Sequence, residues 1–134
     1  MDRVKLLSWN CRGINNAVSR KKVRELLSAT QADILCLQET KCEDWTTALQ
    51  DSIWDSKFHD WITVKSEGLS GGVALSWDST LISCQDYSCE QNWIWFKGVY
   101  RSQLFSCINL YMPHKKRVRL KVWQDLSNIM NICN

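Results

Sequence analysis

Apolar and polar positions follow two rhythms along this chain, and the change from one to the other divides it. Residues 4–9 form a short, mostly apolar run that reads as a buried strand. Over 18–30, Val23, Leu26 and Leu27 share one helical face, with basic residues opposite. Residues 33–38 carry Ile34, Leu35 and Leu37 and read as a second strand, and Trp45, Leu49 and Ile53 keep helical spacing in a short second helix. After that the chain turns to strands at 61–65, 72–77, 80–87, 93–100 and 104–111, rich in Val, Ile, Trp and Phe and separated by polar turns. Trp93-Ile94-Trp95-Phe96 is the strongest β signal, and Ser70-Gly71-Gly72 marks a turn or a close backbone approach. Beyond Pro113, the spacing of Val118, Val122, Leu126, Ile129 and Cys133 predicts a final helix. The order β-α-β-α, then a β-meander and a helix, predicts an α/β (α+β) fold. It fits one half of a sandwich, a mixed, mostly antiparallel sheet with helices on one face. No Gly-rich fingerprint follows the first strand, so a Rossmann unit is not expected.

Composition narrows the class. The 134 residues are 45% hydrophobic and 23% charged, an ordinary globular balance. No apolar run approaches the roughly 18 residues that span a bilayer. The start of the chain lacks an apolar signal-peptide core, so a nuclear or cytoplasmic protein is expected. Seven cysteines, none in a CxxC pair and none near His59 or His114, argue for reduced thiols over a zinc site. Net charge is only +3, yet residues 114–121 pack five cations into eight positions, and Arg20, Lys21, Lys22 and Arg24 form a second cluster. Either cluster suits a phosphate backbone or a solvated helix face.

Two segments carry the sharpest chemical signal: Leu7-Ser8-Trp9-Asn10-Cys11-Arg12-Gly13 and Leu35-Cys36-Leu37-Gln38-Glu39-Thr40-Lys41. Each is an apolar run ending abruptly in a polar side chain, Asn10 or Glu39, and strands that end so can bring both groups to one rim of a sheet. A hard cation such as Mg²⁺ is held in that way, by few protein oxygens with water and phosphate filling the rest. Taken alone, a strand-end glutamate such as Glu39 is most often a surface charge, and Asn10 is equally readable as a turn residue. Trp9, Trp77, Trp93 and Trp95 suit core packing better than stacking on bases.

These two segments, in this order and spacing, resemble the opening motifs of the endonuclease/exonuclease/phosphatase superfamily. The Asn-Cys-Arg-Gly version looks most like the apurinic/apyrimidinic-like endonuclease domain of plant LINE-type retrotransposons. The resemblance implies that Glu39 binds Mg²⁺ (Mn²⁺ being a substitute) and that Asn10 lies beside the metal, orienting Glu39 and the phosphate. Arg12 stands where many repair members have Asp, as LINE-type members commonly show. Tyr111 resembles the Tyr of the family's Asn-x-Tyr-x-Pro motif, whose hydroxyl contacts the scissile phosphate. His114 replaces the Asn that usually follows. Arg12, Lys41, His114, Lys115, Lys116, Arg117 and Lys121 are then the expected nucleic-acid contacts, and Gly71-Gly72-Val73-Ala74 resembles a structural strand.

The resemblance covers only the first half of the family's domain, so residues 1–134 are expected to be a partial domain. The family's later Gly-Asp-x-Asn strand, a further Asp and an Asp-His pair position the water and supply the base. Leu126 to Asn134 holds no carboxylate or histidine. The family packs two sheets face to face, and one sheet alone would leave an unpartnered inner face carrying some of Leu6, Leu35, Leu37, Val73 and Leu75, which predicts poor solubility, self-association or rescue by a second chain. The expected function is therefore a Mg²⁺-dependent, DNA-cleaving endonuclease domain of a LINE-type retroelement, truncated and incomplete alone, with DNA as partner. The rivals are a non-catalytic nucleic-acid-binding or interaction remnant, a phosphatase acting on small phosphate esters, and a product with no function.

Overall fold

A computed structural model describes residues 3–133. The elements run β1 (Leu6–Asn10), α1 (Ala17–Thr30), β2 (Ile34–Gln38), α2 (Thr47–Ile53), β3 (His59–Val64), β4 (Val73–Asp78), β5 (Ile82–Glu90), β6 (Trp93–Tyr100), β7 (Gln103–Leu110) and α3 (Lys116–Cys133). They form two sheets, ordered β1-β2-β4-β3 and β5-β6-β7. β1 and β2 are parallel because α1 crosses between them, and every other pairing is antiparallel. The expected mixed α+β class with helix-covered sheet faces is what the chain adopts. Among the described residues no helix is long and apolar enough to cross a membrane.

Strand alternation explains the layers. In β2, Leu35 and Leu37 point to the helix side and pack with Val23 and Leu27 of α1 and Ile53 of α2. Ile34 and Cys36 point the other way and join Val73, Leu75, Trp77, Ile94 and Phe96 between the two sheets. Trp93 and Trp95 face outward from β6 beneath Val122 and Leu126 of α3, while Trp77 packs on Phe96 with ring centroids 4.7 Å apart. Trp9 packs against the helix-side core, so all four strand tryptophans serve packing.

One expectation is corrected here. The face thought to need a second chain is covered by β5, β6 and β7 of this same chain. Leu35 and Leu37 do not lie on it, because their parity turns them toward the helices. Val73 and Leu75 are fully buried, and only Leu6, on the edge strand β1, stays 46% exposed.

The sheets are joined by a buried amide clasp. Asn109, on the inner face of β7, donates through Nδ2 to the carbonyls of Leu37 (3.1 Å) and Ala74 (2.7 Å). Gln38 Nε2 donates to Asn109 Oδ1 at 2.8 Å and to Ser8 Oγ at 3.0 Å. A buried group left without its partner costs about 1–3 kcal/mol. Replacing Asn109 by Ala takes one of the acceptors from the Gln38 amide and removes a donor from two carbonyls. The Asn109→Ala protein should lose about 2–4 kcal/mol of unfolding free energy in a urea titration. A loss below about 0.5 kcal/mol, the range of ordinary surface changes, would mean that the clasp is dispensable.

Candidate active site at the rim of the first sheet

Asn10 and Gln38 are register partners at the ends of parallel strands, so the chain leaves β1 and β2 at the same rim. The two segments then run side by side. Cys11 N donates to Gln38 O (3.0 Å), Gly13 N to Glu39 O (2.8 Å) and Ile14 N to Thr40 O (2.9 Å). The turn before β4 locks on from the other side, Gly72 O accepting from Thr40 N (3.1 Å) and Gly71 O from Lys41 N (2.8 Å). Gly72 is required there. It has φ +94, and a Cβ would collide with Thr40 Oγ1.

This lattice sustains three residues in the left-handed region without glycine's freedom: Arg12 (φ 48), Glu39 (φ 55) and Lys41 (φ 53). Such conformations cost of order 1–3 kcal/mol each and persist where the surroundings over-determine them. At Glu39 the reversal breaks the alternation of β2 and leaves the residue half-buried on the wall of a cavity of about 520 Å³. Asn10, Arg12, Tyr111 and His114 line the same cavity, with Gln38 at its base. The expected trio Asn10, Glu39 and Tyr111 is thus brought together from two sheets, with Arg12 and His114 beside it. Asn10 also fulfils its turn role, Oδ1 accepting from Arg12 N at 3.3 Å.

Electrostatics tie the groups together. Burial, and then the negative charge of Glu39, push the Tyr111 hydroxyl above its ordinary value of 10, so at neutral pH it is a protonated donor. Its backbone is fixed by Tyr111 N donating to Asn92 O at 2.8 Å. Cys11 lies beneath the rim, where burial pushes its thiol to about 11. It stays an uncharged SH, bonded to Gln38 O at 3.3 Å.

The other expected contacts are dispersed. Lys41 faces a separate hollow with Glu43 and Gly68, its carbonyl accepting from Asn15 Nδ2 at 2.9 Å. Lys115, Lys116 and Arg117 are exposed where the chain enters α3. Lys121 does not join them. It pairs with Asp125 at 3.4 Å, and Asp125 also accepts from Trp93 Nε1 at 3.2 Å. In the early cluster, Arg20 and Arg24 bond the carbonyls of Ile14 and Ser52, leaving Lys21 and Lys22 exposed. Gln38 and Asn109 were missed as candidates. Their signal was a carboxamide at an inward-facing position of an otherwise apolar strand.

The donor set bears on which cation fits. Among the described residues, no three His, Cys, Asp or Glu side chains converge. One carboxylate and one carboxamide on an open cavity suit a hard cation that keeps most of its water, and do not suit zinc.

Residues 7–107 match the family model described as Endonuclease/Exonuclease/phosphatase family. The chain belongs to this family. The matched span contains Asn10 and Glu39 and stops before Tyr111 and α3. An exodeoxyribonuclease of Bacillus subtilis (strain 168) is 33% identical over 73 residues, 54% of this chain and 28% of that protein. Solved structures share the fold. An AP endonuclease from Archaeoglobus fulgidus has 23% identity and a TM-score of 0.67, over 92% of this chain and 49% of that one. The endonuclease domain of TRAS1, a telomere-specific non-LTR retrotransposon, has 12% identity and a TM-score of 0.66, over 98% and 54%. The chain therefore spans less than a third of that curated family member and about half of these two solved ones.

The coupling of Glu39 to Tyr111 is open to direct measurement. Neutralising the carboxylate in Glu39→Gln removes one of the two causes of the Tyr111 shift, so its hydroxyl should ionise at lower pH than in the parent protein. Ultraviolet difference titration, with Tyr111→Phe identifying the signal, reads this. An unchanged or higher midpoint would mean that the two groups do not face each other.

Proposed function

We propose that this chain carries the metal- and phosphate-facing part of a Mg²⁺-dependent DNA endonuclease centre of the LINE-type retroelement kind. The carrying observation is the meeting of Asn10, Glu39 and Tyr111 in one cavity, from strands of two different sheets. Family membership over residues 7–107 and the folds of the AP endonuclease and the TRAS1 endonuclease domain support this reading. A zebrafish TDP2 of the same fold has been solved with a single-strand DNA product.

In this reading the Glu39 carboxylate and Asn10 carboxamide oxygens hold the cation. When bound, such a cation offsets the charge that builds on the phosphate and leaving oxygen. Tyr111, kept protonated, donates to a non-bridging phosphate oxygen, and the Arg12 guanidinium presents a planar donor fork to the same group. Lys115, Lys116 and Arg117 extend the positive surface away from the cavity, which suits a polyanion better than a small ester. Cleavage also needs an aligned, deprotonated water, and a missing base forfeits on the order of 10²–10⁴-fold in rate. Among the described residues the cavity offers one carboxylate, assigned to the cation, and one imidazole, His114. His114 lies in the segment assigned to DNA contact. The chain by itself therefore binds and orients DNA and cleaves it poorly, as a partial domain would.

Nicking of supercoiled plasmid with and without Mg²⁺, beside Glu39→Ala, tests the chemistry. Little or no nicking above the variant is expected, and vigorous Glu39-dependent nicking would overturn the incomplete centre. Duplex affinity should fall with salt at a log–log slope of about −2.7 if three cations meet phosphates. Replacing Lys115, Lys116 and Arg117 by Ala should flatten that slope. Salt-insensitive binding would remove the DNA reading.

A further inference from the structure

The rim of the first sheet opposite Glu39 holds a separate cavity of about 480 Å³. Three of its lining residues stand in one row: Asp33 before β2, Asp78 at the end of β4 and His59 at the start of β3. Asp78 N donates to Asp33 O at 3.0 Å, which holds the first two side by side. Trp54 stacks on the His59 ring with centroids 3.8 Å apart, and buried Leu27 and Ile53 give an apolar wall. Both α1 and α2 end at this rim, neither with a basic residue in its last turn.

The lining selects a cation. Each carboxylate has one oxygen engaged, Asp33 Oδ2 accepting from Lys5 N at 2.8 Å and Asp78 Oδ1 from Thr80 N at 2.9 Å. Asp33 Oδ1 and Asp78 Oδ2 have no protein partner among the described residues. The carbonyl ends of the two helices add negative potential. Arg24 is drawn aside to Ser52 O, and one cation against two carboxylates leaves the lining net negative. The Asp55 carbonyl only accepts, so His59 Nδ1 carries the proton of their 2.9 Å bond, and Nε2 of the neutral ring is a further acceptor. A metal ion fits poorly, since no three metal-ligating side chains converge among the described residues and the apolar wall offers no oxygens. A guanidinium on an aliphatic stem suits every feature. Its planar fork spans two carboxylates, which a point-charge ammonium does not, and its flat face suits an aromatic wall. Its stem covers Leu27 and Ile53. We infer that this cavity binds a guanidinium carried on an aliphatic chain, supplied either by an arginine side chain of a partner polypeptide or by a free alkylguanidine. None of the residues involved faces the Glu39 cavity, so the site stands apart from the DNA-cleaving reading.

Isothermal titration calorimetry of the full chain tests it with butylguanidine, with butylurea, which has the same shape and no charge, and with a blocked Gly-Arg-Gly peptide. Butylguanidine should bind on the order of tenfold tighter than butylurea, the discrimination of hydrogen bonds between charged partners. Asp33→Asn and Asp78→Asn keep a side-chain oxygen for Lys5 N and Thr80 N, so their circular dichroism should match the parent. Each should weaken butylguanidine on the order of tenfold. A peptide that binds as well as butylguanidine upholds the site and assigns it to a partner's arginine. Binding of butylguanidine without the peptide upholds it and assigns a free alkylguanidine. Butylurea binding as tightly as butylguanidine, an affinity that survives both Asn variants, or no binding of either guanidinium probe overturns it. Whether the chain binds DNA alters none of these outcomes.

Discussion

Everything at the rim depends on the amide clasp between the sheets. Packing of Ile34, Val73, Leu75, Ile94 and Phe96 supplies the bulk of the attraction, but hydrophobic burial is non-directional and tolerates a slide of one sheet over the other. The bonds from Asn109 to Leu37 O and Ala74 O, and from Gln38 to Asn109, do not. Their geometry fixes where β7 sits above β2 and β4, and a fully partnered buried polar network is a strong specifier of one core arrangement. Glu39 is one residue beyond Gln38, and Tyr111 is two beyond Asn109. The clasp therefore sets the separation of these two groups, and the Glu39 charge adds to burial in raising the Tyr111 hydroxyl.

The corners that follow the clasp hold strain. A glycine at position 39 would relieve the backbone, yet it would delete the one carboxylate that faces the cavity among the described residues. The conformation is enforced from both flanks, by Gly13 and Ile14 on one side and by the turn at Gly71 and Gly72 on the other. Beneath it Cys11 and Cys42 act as small apolar plugs whose thiols reach the carbonyls of Gln38 and Asp44. Burial keeps both thiols above their ordinary pKa, so no charge intrudes there.

Much of this was legible from the residues, and the failures have physical causes. The helix expected at 18–30 is α1 (Ala17–Thr30), and the strand expected at 93–100 is β6 (Trp93–Tyr100). Asn10 and Glu39 stood out because each ends an apolar run, and Tyr111 through its resemblance to the Asn-x-Tyr-x-Pro motif; the structure brings all three to one cavity. The faces of β2 were misassigned because Ile34 to Leu37 are buried on both sides, and a period of two leaves no mark in a uniformly apolar run. The second sheet was folded into the first because β5 is exposed along nearly its whole length, so its sequence carries no inward face to count. Asn109 was noticed only as the herald of Tyr111, since sequence gives no sign that its neighbours in space would be two carbonyls of another sheet. Lys121 was grouped with its basic neighbours, whereas helical geometry turns it to Asp125, four residues on.

The charge at the start of α3 ties the last element to the cavity. Lys116 and Arg117 occupy the first turn, where no acidic residue balances them, and cations there oppose the helix dipole. That placement works against the helix by a few tenths of a kcal/mol per charge up to about 1. The helix tolerates it because Val122 and Leu126 anchor it over Trp93, and because the Arg119 guanidinium binds His114 O and Arg119 N binds Lys115 O, closing the first turn on itself. Dipole and side chains then add rather than cancel. They give a positive field at the end of the helix nearest Tyr111 and His114, while Lys121, a turn further along, is neutralised by Asp125. Within a chain of net charge only +3, Lys115, Lys116 and Arg117 thereby gather at the start of α3, and local helix stability is given up for a positive field that an approaching anion relieves.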